Sequence, residues 1–287
     1  MRAIQKSDQR SPSKSLRDTN HLMKQLLLLT LLGGTIVVKA INPERGYKFT
    51  PDMRGFKYAE YKTKTTDGYA INVWDYEVAG AKSDRTIILV GPDAGNMGYL
   101  IWQANALLQK GIHVVSFDYR GFGNSADFEI NKDFLFYQEF GLDLDSVIKA
   151  TREKYPTHKI GLYAMSMGTY VSLLSTEKVD FLVAEGFYHH PQRVVDRIKA
   201  NKGEVVLLPA GSKAIRTFRN RCPILIFCAD GDQTTTTADA REFSLSNRVT
   251  LIEFKGSHLS GMNVFRKDEY GDQYAQRIVD FLAASRL

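Results

Sequence analysis

The sequence has little cysteine, and its two cysteines carry almost no structural information. Of 287 residues only Cys222 and Cys228 are cysteines. If both lie on one strand, their separation of six residues spans about 20 Å, far beyond disulfide reach. They therefore say nothing about redox compartment, and we expect both thiols to pack as small apolar side chains.

The sequence also has almost no net charge outside its N-terminus. Residues 1–40 contain seven basic and two acidic side chains, so that +5 of the total charge of +6 lies there and +1 remains for residues 41–287. A nearly neutral domain offers no electrostatic footprint for a polyanion, and we expect no nucleic-acid partner. The adjacent His189 and His190 have no nearby carboxylate or cysteine ligands, so evidence for a metal site is weak.

The first forty residues are typical of an export signal. Lys24 precedes an apolar run, residues 26–38, which is short for a membrane span and has the length of a signal h-region. Val38 and Ala40 occupy the small-residue positions before a cleavage site, which predicts a mature start at Ile41. We expect an exported protein, periplasmic or secreted; the alternatives are an uncleaved N-terminal membrane anchor and an amphipathic helix of the domain.

From residue 55 onward, strand-like runs alternate with helical patterns, which predicts an α/β domain over residues 41–287 with a largely parallel sheet. Residues 56–63 and 69–78 are joined by a turn at residues 66–68 and predict an antiparallel hairpin at the sheet edge. Further strands are predicted at 86–90, 113–119, 159–164, 181–186, 223–227 and 249–254, and helices at 99–110, 142–154, 167–175, 236–243 and 274–284. The rhythm breaks at residues 189–221, where helical patches at 193–200 and 212–218 predict a small inserted cap.

The most specific local signal is a serine between an apolar strand and a helix, in the segment GLYAMSMG at residues 161–168. It matches the G-x-S-x-G nucleophile elbow with Ala164 in place of the first glycine. The sharp turn strains the backbone of Ser166, so the positions two residues away on either side must be small. The following helix directs its free N–H groups towards the serine, which makes the Met167 N–H a candidate oxyanion donor. The alternative is that Ser166 only caps the helix.

Four further segments resemble the α/β-hydrolase superfamily, in particular single-domain serine hydrolases with a short cap that read His-Gly-Asn-Ala-Gly-Asn after the third strand. They are GPDAGN at residues 91–96, FDYRGFGNS at 117–125, CPILIFCADGD at 222–232 and FKGSHLS at 254–260. The resemblance implies the α/β-hydrolase fold: a mostly parallel eight-stranded sheet with an antiparallel N-terminal hairpin, helices on both faces and a small helical cap. It also implies a small-molecule carboxylic ester as substrate, with thioester or amide as variants, and no metal, nucleotide or organic cofactor.

In this family the loop after the third strand supplies the second oxyanion N–H. Gly91 stands where the family has histidine and Pro92 where it has glycine, and proline has no N–H to donate. The donor is then Asp93 or Ala94. A carboxylate on Asp93 beside an oxyanion is unfavourable unless it turns away or is protonated. The alternative is a plain Gly/Pro/Asp turn.

The resemblance also places the other two members of a catalytic triad. The family's acid position falls on Asp232, with Asp230 as a competitor two residues earlier, and His258 follows the last apolar strand. Ser166, Asp232 and His258 occur in the order nucleophile, acid, histidine of this fold. We expect His258 to act as general base and Asp232 to orient its imidazole.

Two further expectations concern the surroundings of the site. Asp118 and Arg120 are expected to pair and to fix the loop after their strand. Tyr188 and His189 at the cap entrance, together with Ala94, are candidate substrate contacts, although for His189 a surface loop is the preferred interpretation. The sequence therefore predicts a serine hydrolase; the alternatives are acyl transfer to an acceptor other than water, and a non-catalytic hydrolase-like binding protein.

Overall fold

An eight-stranded sheet forms the centre of the fold. The computed structural model describes residues 39–78 and 83–287, so the predicted leader, residues 1–40, lies outside the described residues except for its last two positions. The strands are β1 (Asn42–Pro43), β2 (Tyr58–Lys64), β3 (Ala70–Tyr76), β4 (Arg85–Val90), β5 (Ala94–Gly95), β6 (His113–Phe117), β7 (Lys159–Met165), β8 (Phe181–Glu185), β9 (Ile224–Ala229) and β10 (Val249–Phe254).

Seven α-helices accompany these strands in the described part of the chain. They are α1 (Ile101–Leu108), α2 (Glu139–Lys154), α3 (Met167–Leu174), α4 (Pro191–Lys202), α5 (Thr237–Ser244), α6 (Gly261–Val264) and α7 (Asp272–Ala284). Two 3-10 helices, Pro51–Arg54 and Met97–Leu100, precede β2 and α1.

The sheet is parallel except around β3. Its strand order is β10-β9-β8-β7-β4-β6-β3-β2, and β3 pairs antiparallel with both β2 and β6. The predicted hairpin is confirmed, with Lys64 opposite Ala70 next to the turn. The short strands β1 and β5 form a separate parallel ladder.

Both faces of the sheet are covered by helices, as expected for buried parallel strands. In β4, Ile88 and Val90 pack on one face with residues of α2, α3 and α5, whereas Ile87 and Leu89 pack on the other face with residues of α1 and α7. All four side chains are fully buried. The predicted α/β-hydrolase fold class is confirmed.

The helix predicted at residues 212–218 is wrong. After α4 the chain runs without a helix to β9, and several of its backbone groups bond to distant segments. The Leu207 N–H donates to the Asp133 carbonyl at 2.7 Å, and the Ile215 N–H donates to the His189 carbonyl at 2.8 Å. Buried backbone groups need partners, and here tertiary partners replace helical ones.

Parallel strands direct their carboxyl ends to one edge of the sheet, where α/β folds bind ligands. The loops after β4, β7, β9 and β10 all leave this edge, and they carry Asp93, Ser166, Asp232 and His258 respectively. Among residues 39–78 and 83–287, no helix is long and apolar enough to cross a bilayer.

Candidate active site

Ser166 occupies a strained turn between β7 and α3. Its φ of 50° and ψ of −118° lie in a region that residues with a side chain rarely adopt. The turn is held on both sides: the Ser166 N–H donates to the Glu185 carbonyl at 2.9 Å, and the Thr169 N–H and hydroxyl donate to the Ser166 carbonyl at 2.9 and 2.7 Å. The Ser166 side chain is not used as a helix cap. The hydroxyl is thus left available to another partner.

That partner is the imidazole of His258. The distance from His258 Nε2 to Ser166 Oγ is 3.0 Å, and the distance from His258 Nδ1 to Asp232 Oδ2 is 2.7 Å. The three side chains, which lie far apart in the sequence, meet at the carboxyl edge of the sheet. The arrangement can carry a proton from the hydroxyl to the imidazole while the carboxylate faces the opposite ring nitrogen.

The turn after β9 separates the two candidate acids. Asp230 turns towards the loop after β10, where its carboxylate accepts the Gly256 N–H at 3.1 Å. Asp232 faces His258, is only 7% exposed, and accepts the N–H groups of Thr234 and Thr235 on Oδ1, each at 2.9 Å. Asp232 is therefore the carboxylate that the structure brings to the histidine.

The imidazole of His258 lies against Gly186, the residue that follows β8. Gly186 has a φ of +65°, and a Cβ built on it would lie 2.8 Å from His258 Cε1 and 3.3 Å from His258 Nδ1. A residue without a side chain is thus needed both for the backbone conformation and for the close approach of the ring.

The electrostatics at the site favour a basic histidine. Burial lowers the pKa of His258, but the Asp232 carboxylate, with contributions from Asp93 and Glu185, outweighs burial and raises that pKa above its ordinary value. For Asp232 itself, burial acts to raise the pKa, and the hydrogen bonds from His258 and Thr235 outweigh it, so the pKa is lowered. The pair therefore favours a carboxylate beside an imidazole that accepts a proton readily.

The loop after β4, residues 91–96, in which the resemblance places the second oxyanion donor and which is called the oxyanion loop below, lies beside the serine turn. A Cβ at Gly168 would lie 2.6 Å from the Gly91 carbonyl oxygen, so the start of α3 touches this loop directly. The Met167 N–H, at the first position of the helix, has no acceptor among the described residues. In the loop, the Asp93 carbonyl accepts the Asn42 N–H at 2.9 Å, which ties the loop to β1.

The Asp93 and Ala94 positions predicted as the second donor differ in their surroundings. Burial raises the pKa of the Asp93 carboxyl. Ala94 is exposed and lies in the β1–β5 ladder. The two backbone positions stay candidates for the oxyanion hole together with Met167.

The predicted pairing of Asp118 with Arg120 is wrong. Arg120 binds Asp67 and Asp143 instead, with closest distances of 2.6 and 2.7 Å, and is fully buried. Asp118 accepts the Met97 N–H at 2.8 Å and the Tyr47 hydroxyl. The reason is that the two residues face different neighbours: the arginine reaches the hairpin turn and α2, whereas the aspartate reaches the start of the 3-10 helix before α1.

The residues predicted at the cap entrance are both buried. Tyr188 stacks on Tyr170 with ring centroids 5.5 Å apart, and its hydroxyl has no partner among the described residues. His189 is 1% exposed and its Nδ1 lies 3.2 Å from the Ile215 carbonyl oxygen, so the surface position preferred for it from the sequence is wrong. Contact of either side chain with substrate stays a prediction. In the described residues, no group of three His, Cys, Asp or Glu side chains is placed to hold a metal ion.

Two residues of the candidate site, Thr235 and Gly186, were not found in the sequence analysis. Thr235 is 5% exposed and donates its hydroxyl to Asp232 Oδ2 at 2.5 Å. A signal for it existed, because a threonine three residues after an aspartate is typical of a turn closed by side-chain hydrogen bonds. Gly186 had no such signal, since its need for a missing side chain arises from a histidine 72 positions further along the chain.

Comparison of sequences finds a family model and a curated relative, each of which matches part of the chain. A family model described as serine aminopeptidase, S33, matches residues 87–180. An uncharacterized membrane protein of Saccharomyces cerevisiae is 28% identical over 161 residues, which is 54% of each chain. The chain thus spans about half the length of this curated relative.

Comparison of structures finds esterases of similar fold. An esterase of Pyrococcus furiosus superimposes with a TM-score of 0.70 at 20% identity, covering 85% of this chain and 98% of the other. A cold-adapted esterase from an Arctic intertidal metagenomic library superimposes with a TM-score of 0.57 at 15% identity, covering 80% and 94%. At these identities the likeness shows the fold alone.

Proposed function

We propose that this chain, which has the α/β-hydrolase fold and matches a hydrolase family model over residues 87–180, is a serine hydrolase that cleaves a carboxylic ester through an acyl-enzyme on Ser166. The family model and the esterase structures support a hydrolase. The observation that carries the proposal is the chain of contacts from Ser166 Oγ to His258 Nε2 at 3.0 Å and from His258 Nδ1 to Asp232 Oδ2 at 2.7 Å.

The reaction follows from this geometry. His258 removes the hydroxyl proton while Ser166 Oγ attacks the ester carbonyl carbon, and the tetrahedral intermediate carries its negative charge on the former carbonyl oxygen. The N–H groups of Met167 and Asp93 stabilise that oxygen. His258 then protonates the leaving alcohol as the C–O bond breaks, which leaves an ester on Ser166. Water, deprotonated by the same imidazole, releases the acid and regenerates the hydroxyl.

Asp232 supports both halves of the cycle. Its carboxylate accepts a hydrogen bond from the Nδ1–H group of His258, which leaves Nε2 unprotonated and able to remove the proton of Ser166. It also stabilises the imidazolium that forms in each transition state. These two tasks agree with the raised pKa of His258 and the lowered pKa of Asp232.

Labelling with a fluorophosphonate tests the nucleophile directly. We expect the wild-type chain to gain one phosphonyl group by intact-mass spectrometry and Ser166→Ala to gain none. A folded wild-type chain without the adduct, or equal labelling of the variant, would refute the proposal. Folded protein that is neither labelled nor active on any p-nitrophenyl ester would instead favour the non-catalytic binding protein. That alternative is motivated by Pro92 and Asp93 in the oxyanion loop.

Amide cleavage is a second candidate, because the matching family model is described as a serine aminopeptidase. The same acyl-enzyme serves an amide, and the discriminating measurement compares hydrolysis of an alanine p-nitroanilide with hydrolysis of p-nitrophenyl acetate. Acyl transfer is separated from hydrolysis by adding an alcohol acceptor and analysing the products by mass. A transfer product formed in preference to free acid would favour an acyltransferase.

We also propose that residues 1–40 direct export or anchor the protein at a membrane. The support is the sequence pattern of Lys24 followed by an apolar run at residues 26–38, and the description of the yeast relative as a membrane protein. Mass spectrometry of the native N-terminus tests this. A mature chain that begins at Ile41 indicates cleavage and export, and an intact leader in the membrane fraction indicates an anchor.

A further inference from the structure

The turn that carries Asp232 contains a third polar group aimed at the histidine. Thr235 Oγ1 lies 2.5 Å from Asp232 Oδ2 and 3.3 Å from His258 Nδ1, so the three atoms form a small triangle. The hydroxyl is in a side chain only 5% exposed, which excludes exchange with bulk water as its main interaction. Its partners are therefore members of the triad itself.

The hydroxyl has one proton, and the distances decide where it goes. The charged carboxylate at 2.5 Å is the stronger acceptor, and Nδ1 of His258 already donates to the same carboxylate oxygen. Thr235 thus donates to Asp232 Oδ2 and turns a lone pair towards the Nδ1 proton at the longer distance of 3.3 Å. Asp232 Oδ2 receives two donors at once.

The position of Thr235 is imposed by its surroundings. The Thr235 N–H donates to Asp232 Oδ1 at 2.9 Å. The Thr234 carbonyl accepts Arg197 Nη1 of the cap helix α4 at 3.1 Å, and the same guanidinium pairs with Asp239 of α5. The turn is fastened to two helices, and these contacts fix the backbone from which the Thr235 hydroxyl projects.

We propose that Thr235 is a positioning residue that holds the Asp232 carboxylate against His258 and limits the basicity of that histidine. The proposal rests on the proposed serine-hydrolase function. Two effects of the hydroxyl oppose each other. Its proton stabilises the carboxylate charge and so weakens the hold of Asp232 on an imidazolium, whereas its lone pair favours the imidazolium. The hydrogen bond to the charged Asp232 carboxylate is the shorter of the two, so its effect outweighs that of the longer contact with His258 Nδ1, and the net result is a less basic histidine.

A limit on the basicity of His258 matters at this site because other carboxylates also favour its protonated form. Besides Asp232, the carboxylates of Asp93 in the oxyanion loop and Glu185 at the end of β8 act on His258 and favour its protonated form. A general base must be neutral at the working pH to accept a proton, so a further rise of the His258 pKa would lower the fraction of protein in the active form. A donor on Asp232 counteracts that surplus of negative charge without removing the orienting hydrogen bond.

The test is the pKa of His258 in the full chain, read by imidazole NMR and assigned with His258→Asn. Thr235→Val removes the hydroxyl and should raise this pKa by about half to one unit. Thr235→Ser keeps the hydroxyl and should restore the wild-type value. Thr236→Val is the matched control, because the buried Thr236 hydroxyl has no partner among the described residues and its loss should leave the pKa unchanged. Thr235→Ala replaces Thr235→Val if the latter does not fold.

The acid limb of the pH profile of kcat/KM for p-nitrophenyl acetate gives a second measure of the His258 pKa. Below the wild-type pKa, Thr235→Val should be about three- to ten-fold slower than wild type, and the difference should shrink at high pH, where both histidines are neutral. An unchanged or lowered His258 pKa in the valine variant, or an equal shift in Thr236→Val, overturns the proposal. The NMR titration needs no activity, so a protein that fails to label with fluorophosphonate refutes the proposed function while the role of Thr235 is still decided.

Discussion

Replacing Gly186 by alanine tests whether the position of the His258 ring controls catalysis. The new Cβ would lie 2.8 Å from His258 Cε1, whereas carbon atoms in contact are about 3.5 Å apart. The ring must therefore move by about 0.7 Å, and the movement lengthens the contact of 3.0 Å between His258 Nε2 and Ser166 Oγ. Displacements of this size at a reacting group cost on the order of 10²-fold in rate.

The chain offers a matched control for the backbone cost. Gly203 at the end of α4 has a φ of +71°, close to the +65° of Gly186, but nothing lies within 4 Å of a Cβ built on it. Both alanine variants should lose about 1 kcal/mol of unfolding free energy because of the left-handed backbone. Only Gly186→Ala should lose activity.

The assay is kcat/KM for p-nitrophenyl acetate together with urea unfolding of each variant. We expect Gly186→Ala to fall about 100-fold and Gly203→Ala to stay within about two-fold of wild type, as a backbone cost without contact to the site predicts. A Gly186→Ala variant that is folded and as active as Gly203→Ala would refute the reasoning, since the ring would then tolerate the displacement.

Five other substitutions, two of them controls at the exposed residues Asp230 and Arg241, test the roles of individual charges. Asp232→Asn should lower kcat by about 10³- to 10⁴-fold, whereas Asp230→Asn, whose carboxylate faces a backbone N–H, should keep activity within about ten-fold; equal losses would contradict the assignment of the acid. At pH values above the raised pKa of Asp93, Asp93→Asn should increase kcat/KM about five-fold, and at lower pH it should change kcat/KM little, because the carboxylate opposes the oxyanion only when it is ionised. A loss of activity at high pH would show that the carboxylate is needed. Arg120→Met should cost about 3–5 kcal/mol of unfolding free energy by urea titration because it leaves a buried carboxylate unpaired, whereas Arg241→Met on the surface should cost less than about 1 kcal/mol; similar costs would refute the burial argument.

The parts of the fold that depend on neighbouring residues were predicted well. The apolar runs of β4, β7 and β10 were recognised within one residue of their ends, because alternation and β-branching act over a few positions. The turn at Ser166 was recognised for the same reason, since a strand, a serine flanked by small residues and a helix are all adjacent in the chain.

The parts that depend on distant partners could not be predicted. Residues 212–218 carry a helical pattern, but hydrogen bonds to His189 and other distant groups hold that region in an irregular path. Arg120 found its partners 53 and 23 positions away, at Asp67 and Asp143, rather than two positions away at Asp118.

The choice between the two aspartates shows which part of the site the sequence determined and which part only the tertiary structure decided. Spacing narrowed the acid to Asp230 or Asp232, because both follow the same buried strand. Only the packing of the loop after β9 against the loop after β10 decided between them, by giving Asp230 the Gly256 N–H and leaving Asp232 to His258. Local sequence specifies the backbone conformation of a turn, whereas the direction and partner of each side chain depend on which distant segments close around it.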